Sequence, residues 1–116
     1  MKLPINFEGL IQEANSLQLY KKLIIQLNKD LLYANVDLEF DIEVLPTSLK
    51  YLLREEIFNL IQNKFSDYLN LLYIVDVSEA KVRNLASDDT AKLSEEVTFL
   101  ILQREWQKVW YKSAFS

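Results

Sequence analysis

Apolar residues recur three or four positions apart along most of the chain, which is the spacing of one face of a helix. The first such face contains Leu17, Tyr20, Ile24, Leu27 and Leu31. It predicts a helix that Ser16 caps at its N-terminus and that ends before Asn35. A shorter helical stretch is expected just upstream, over Glu8–Asn15.

The same spacing returns after Pro46, where apolar positions over Leu49–Ile61 predict a helix capped by Thr47 or Ser48. Continued without interruption to Val75, this helix would be about 43 Å long. That length exceeds the expected width of a domain of this size. We therefore expect a bend or break near Ser66–Asp67.

Two further helices are predicted towards the C-terminus, over Glu79–Ala86 and Ala91–Ser113. Polar residues that favour turns and caps separate them at positions 87–90. Taken together, the pattern predicts an all-α fold, a compact bundle of four to five helices. We expect one globular helical domain over residues 1–116.

Residues 36–44 break the helical pattern, because apolar and acidic residues alternate strictly. The apolar set is Val36, Leu38, Phe40, Ile42 and Val44, and the acidic set between them is Asp37, Glu39, Asp41 and Glu43. In an extended chain the two sets lie on opposite sides, so we expect one buried apolar edge and one carboxylate edge. We therefore expect an extended segment near residues 36–45. The alternative is an α+β fold, in which this segment and the strand-like Leu71–Val77 form a small two-stranded element.

The composition excludes several kinds of active site, because the chain has no His, no Cys and a single Gly. Tetrahedral zinc sites and Ser-His-Asp or Cys-His catalysis need the missing residue types, and phosphate-binding loops need several glycines. We therefore predict a protein that is not an enzyme and has no cofactor, no metal site and no catalytic residues. The alternative is a small enzyme that uses paired carboxylates or magnesium.

Charge and hydropathy narrow the choice of partners. The net charge is −4, and no block of Lys and Arg is present to neutralise phosphates, so nucleic-acid binding is not expected. The longest uninterrupted apolar run, Leu71–Val75, is far shorter than the roughly 20 residues of a transmembrane helix. We predict a cytoplasmic protein, and the richness in Leu, Lys, Ile and Asn is typical of bacterial proteins from AT-rich genomes.

The C-terminal segment combines basic and aromatic residues. Its basic residues are four positions apart on one helix face, and its two tryptophans lie on a neighbouring face. Trp and Arg are enriched at interface hot spots, so we identify a candidate interface that consists of Arg104, Trp106, Lys108, Trp110, Tyr111 and Lys112. The alternative is that the Trp rings complete the core and the Lys stems lie over them.

The acidic residues of the extended segment form a second candidate surface, a docking edge for a basic partner, consisting of Asp37, Glu39, Asp41 and Glu43. A calcium loop starting at Asp37 would need Gly where Ile42 stands. The leading hypothesis is a non-enzymatic interaction module that binds another protein or a second copy of itself. A further alternative is binding of a membrane surface or an acidic partner through the aromatic and basic C-terminal helix.

Overall fold

The computed structural model describes residues 1–85 and 88–115, and this part of the chain contains helices and no β-strand. The helices are α1 (Phe7–Ser16), α2 (Tyr20–Tyr33), α3 (Pro46–Asn63), α4 (Phe65–Val75), α5 (Glu79–Arg83) and α6 (Thr90–Phe115). The predicted all-α fold is confirmed. The α+β alternative is wrong, because most of the strand-like stretch over Leu71–Val77 belongs to α4.

The described residues contain six helices, one more than the upper end of the predicted four to five, because the bend or break expected in the third predicted helix is a complete break. It falls at Lys64, slightly before the predicted Ser66–Asp67, where the backbone leaves the helical region with φ −143° and ψ 59°. The predicted end of the fifth helix at Ala86, and Ser87 in the turn that follows, lie outside the described residues.

Two predicted N-caps are wrong. Ser16 is the last residue of α1 instead of the cap of α2, which begins at Tyr20 without a side-chain cap. Thr47 and Ser48 lie inside the first turn of α3, because the helix already begins at Pro46. Proline is favoured at the first helical position, since its ring fixes φ and its missing N–H would have no helical partner there.

Three helices end at residues in the left-handed conformation although none of these residues is Gly. They are Gln18 after α1, Asn35 after α2 and Asp76 after α4, with φ between 58° and 72°. At the end of α2 the backbone N–H of Val36 donates to the carbonyl oxygen of Leu31 at 2.9 Å. This six-to-one hydrogen bond is the mark of a Schellman motif, and it supports the predicted end of the helix before Asn35.

Helix α6 forms the centre of the bundle, and α1, α2, α3 and α4 all pack against it. At about 39 Å it is as long as the longest dimension of the molecule, 37 Å. Val97, Ile101 and Trp106 are fully buried along it. Burial of an aliphatic side chain of this kind stabilises the fold by roughly 1.5–3 kcal/mol, so α6 supplies much of the single hydrophobic core.

The segment after α2 is ordered without pairing as a strand. The side-chain amide of Asn28 takes the place of a neighbouring strand, because Nδ2 donates to the carbonyl oxygen of Phe40 at 2.8 Å and Oδ1 accepts from its N–H at 2.9 Å. The Tyr20 hydroxyl donates to the carbonyl oxygen of Val44 at 2.6 Å. Val36 and Phe40 are buried, as the alternation predicted, whereas Ile42 is exposed. The four acidic side chains all face solvent.

Candidate functional site

The basic residues Arg104, Lys108 and Lys112 form a stripe along α6, and this basic stripe makes its contacts within the molecule. The guanidinium of Arg104 holds the end of α4, since Nη2 donates to Asp76 Oδ2 at 2.9 Å and Nε donates to the Asp76 carbonyl oxygen at 3.2 Å. Lys112 Nζ donates to Gln26 Oε1 at 2.7 Å. The stripe therefore fastens α6 to α4 and to α2.

A buried polar cluster lies between α2 and α6, around Lys108, the middle basic residue of the stripe. Lys108 Nζ donates to Asp30 Oδ2 at 2.8 Å and lies 3.2 Å from Glu105 Oε1. Asp30 Oδ1 accepts from Gln26 Nε2 at 3.3 Å. Glu105 is fully buried and Asp30 almost so. Two carboxyl groups and one ammonium group thus share an enclosed site.

The protonation of this cluster follows from its burial. Burial, reinforced by the hydrogen bond to Asp30 and by the charge of Asp30, raises the pKa of Glu105 to about 9. Burial also raises the pKa of Asp30, but hydrogen bonds from Glu105 and Lys108 outweigh it and hold that pKa below its ordinary value. At neutral pH, Glu105 is a neutral acid beside the Asp30 carboxylate, and Lys108 balances the charge of Asp30.

A basic cleft opens on the surface beside this cluster, between α2 and the end of α6. It has a volume of about 440 Å³ and is lined by Lys22, Ile25, Gln26, Lys29, Val109, Lys112 and Ser113. Within the described residues its three lysines form no ion pair, whereas six of the protein's 13 Lys and Arg residues do. The cleft therefore concentrates unneutralised positive charge in a protein whose net charge is negative.

An acidic groove of about 470 Å³ lies between α2 and the start of the extended segment, and it includes Asp37 and Glu39. Neither carboxylate forms an ion pair with a described residue. The other two members of the predicted docking edge make local contacts, since Asp41 Oδ1 accepts from the N–H of Glu43 at 2.8 Å. The carboxylate of Glu43 lies 3.4 Å from Lys21 Nζ. Asp41 and Glu43 therefore have contacts within the molecule, whereas Asp37 and Glu39 form no ion pair with a described residue.

The outer face of α2 joins the cleft to the groove. Its exposed residues, which fall within an arc of about 120°, are Lys21, Lys22, Ile25, Lys29, Leu32 and Tyr33. The apolar members Ile25, Leu32 and Tyr33 are 54%, 74% and 62% exposed. A cluster of large apolar side chains in contact with solvent marks a surface that a partner can cover.

The candidate interface predicted at the C-terminus is divided between core and surface. Trp106 is fully buried and belongs to the core. Trp110 is half-buried, and Tyr111 and Phe115 are exposed. The rings of Tyr111 and Phe115 are stacked with centroids 5.7 Å apart, and the Trp110 ring lies edge-on to both. An exposed aromatic cluster thus ends α6.

The sequence pattern missed the outer face of α2 and the buried cluster. A signal for the outer face was present, since Ile25, Leu32 and Tyr33 lie outside the apolar face that predicted α2. No signal of comparable strength marks Asp30 and Glu105, because the two residues belong to helices far apart in sequence.

Comparison with known proteins does not assign a function to this chain. No family model matches the sequence, and neither a curated protein nor a solved structure is significantly similar to it. None of the helices in residues 1–85 and 88–115 is both long enough and apolar enough to cross a membrane. The same residues bring no three acidic side chains together in a group that could hold a metal ion.

Proposed function

We propose that this protein is a non-enzymatic interaction module that binds a protein partner through the outer face of α2. The observation that carries the proposal is the exposure of Ile25, Leu32 and Tyr33 as one stripe, with unpaired lysines on one flank and unpaired carboxylates on the other. Apolar centres with charged surroundings are the usual anatomy of protein interfaces.

The end of α6 extends this surface. Lys112 and Ser113 line the basic cleft, and the exposed rings of Tyr111 and Phe115 stand next to them on the same helix. Aromatic side chains offer a large contact area for a small loss of conformational entropy. Of the predicted interface at the C-terminus, the proposal therefore retains Trp110, Tyr111 and Lys112. Trp106 belongs to the core, and Arg104 and Lys108 hold α6 to α4 and α2.

The buried cluster supports a structural role for its carboxylates in place of a catalytic one. Glu105 has no exposed surface, so a substrate cannot reach it in this conformation. Its raised pKa has a sufficient cause in burial beside Asp30. We also propose a cytoplasmic location, in keeping with a chain that has no Cys.

The test compares two substitutions of the same kind on different faces. Leu32 on α2 is 74% exposed and Leu69 on α4 is 51% exposed, so Leu32→Glu and Leu69→Glu place the same charge on two exposed apolar positions. Association is measured by affinity capture from a lysate of the native host and by sedimentation of the purified chain. Circular dichroism verifies that both variants remain folded.

We expect the wild type to associate with a stoichiometric partner or with itself, Leu32→Glu to lose that association, and Leu69→Glu to keep it. The proposal is contradicted if the wild type associates with nothing. It is equally contradicted if Leu69→Glu is the variant that abolishes association.

A further inference from the structure

We infer that the partner covering the outer face of α2 is a second copy of this chain, in a two-fold symmetric dimer. The inference rests on the proposed function and names its partner. It draws on the arrangement of charge, because the same face carries an unpaired basic cluster on one flank and an unpaired acidic cluster on the other.

The basic cluster lies on the flank of α2 that faces α6, where Lys22 and Lys112 line the basic cleft. The acidic cluster lies on the opposite flank, where Asp37 and Glu39 border the acidic groove, because the segment after α2 turns back and runs along the helix. A face with this polarity is complementary to itself once it is rotated about an axis parallel to α2.

A two-fold axis that runs parallel to α2, midway between the two clusters, brings the basic flank of each copy opposite the acidic flank of the other. Because a two-fold interface is isologous, every favourable contact occurs twice. The rotation brings the apolar stripes of Ile25, Leu32 and Tyr33 together in the middle. Two sets of opposite charges therefore flank a shared apolar centre.

Lys29 lies between the two flanks, since it lines both the basic cleft and the acidic groove, and its contact with Tyr33 limits the repulsion between copies. Lys29 Nζ lies 5.9 Å from the centroid of the Tyr33 ring, so its charge already contacts an aromatic face. The net charge of −4 on each copy opposes association over longer distances. We therefore expect a weak dimer that loses affinity as salt screens the attraction between opposite flanks.

The experiment is a charge swap followed by sedimentation velocity at low and high salt. One variant carries Lys22→Glu with Lys112→Glu, and the other carries Asp37→Lys with Glu39→Lys. Each variant gives the two flanks of the face the same sign, so we expect each to dimerise at least about tenfold more weakly than the wild type. Mixed in equal amounts, the two variants should form a heterodimer, because their faces are then complementary.

A matched control carries Lys64→Glu with Lys81→Glu. Both lysines are exposed and neither lines the basic cleft or the acidic groove. This control makes the same change in net charge as Lys22→Glu with Lys112→Glu, and we expect it to reduce dimerisation much less. Circular dichroism of every variant separates loss of dimer from loss of fold.

Several results overturn the inference. It fails if the wild type stays monomeric at every concentration or if the mixed variants do not associate. It also fails if inorganic phosphate raises the melting temperature of a monomeric wild type and Lys22→Glu removes that rise, since the lysines then bind an anion. The dimer is also overturned if the chain is monomeric and captures a different protein. If Leu32→Glu abolishes that capture, the proposed function still stands.

Discussion

Replacing Glu105 by Gln should stabilise the protein at neutral pH, although Glu105 is fully buried and beside a lysine. The fold raises the pKa of this carboxyl from 4.5 to about 9. Between those values the unfolded chain has lost a proton that the folded chain keeps, so wild-type stability falls by about 1.4 kcal/mol for each pH unit. At pH 7 the accumulated cost is on the order of 3 kcal/mol.

Gln is the informative replacement because it has the shape of the protonated acid and no charge at any pH. Like the protonated carboxyl, its amide has both a donor and an acceptor. We therefore expect the Glu105→Gln variant and the wild type to be about equally stable near pH 4. Their difference in the free energy of unfolding should then grow through pH 7 and level off above about pH 9.

The assay is urea unfolding followed by circular dichroism at a series of pH values, with sedimentation to hold the association state constant. Glu95→Gln on the same helix is the control, since Glu95 is exposed and pairs with Lys50 at 3.9 Å. We expect its effect to stay below about 1 kcal/mol throughout. A difference between Glu105→Gln and wild type that does not vary with pH refutes the reasoning, because Glu105 would then be ionised in the fold and paired with Lys108.

Two further predictions concern the connections between helices. Asn28→Ala removes both hydrogen bonds to the backbone of Phe40, so we expect a loss of about 2 kcal/mol in the free energy of unfolding. Hydrogen exchange at the Phe40 amide should become faster, and unchanged exchange there would contradict the role of Asn28. Gln18→Gly relieves a left-handed residue with φ 58° and should raise stability by about 1 kcal/mol in the same urea assay; Lys22→Gly, inside α2, is the control and should lower it.

The helical periodicity of the sequence predicted most of the fold because it reflects a local property of the chain. A face such as that of Ile24, Leu27 and Leu31 is fixed by the geometry of one helix and by its need for burial. Helix ends were predicted less well. Ser16 has the chemistry of a cap, but the chain leaves α1 through Gln18 in a conformation that its residue type does not favour.

The extended segment shows which contacts the local sequence pattern does not predict. Alternation predicted that Phe40 is buried and that Asp37 is exposed, and both hold. It left the backbone hydrogen bonds of the segment unassigned, because they go to the side chain of Asn28, 12 positions away from Phe40. A side-chain amide that replaces a strand leaves no periodic trace in the sequence.

The candidate interface was predicted only in part, for a related reason. Spacing placed Arg104, Lys108 and Lys112 on one face of a helix. It could not show what faces them, because the partners Asp30 and Gln26 are 78 and 86 positions away along the chain. Positive charge that looks available for a partner in the sequence is in fact largely used to hold the bundle together.

The inward and outward faces of α2 therefore have different roles. Gln26 and Asp30 point inward and fasten the helix to α6 through Lys112 and Lys108, while Ile25 in the same turns points outward. Charge-assisted hydrogen bonds hold α2 in place. Its outer face therefore loses little conformational freedom when a partner binds, and this preorganisation favours binding. Association and stability should thus respond to different substitutions on one helix, the outward ones changing association alone and the inward ones changing both.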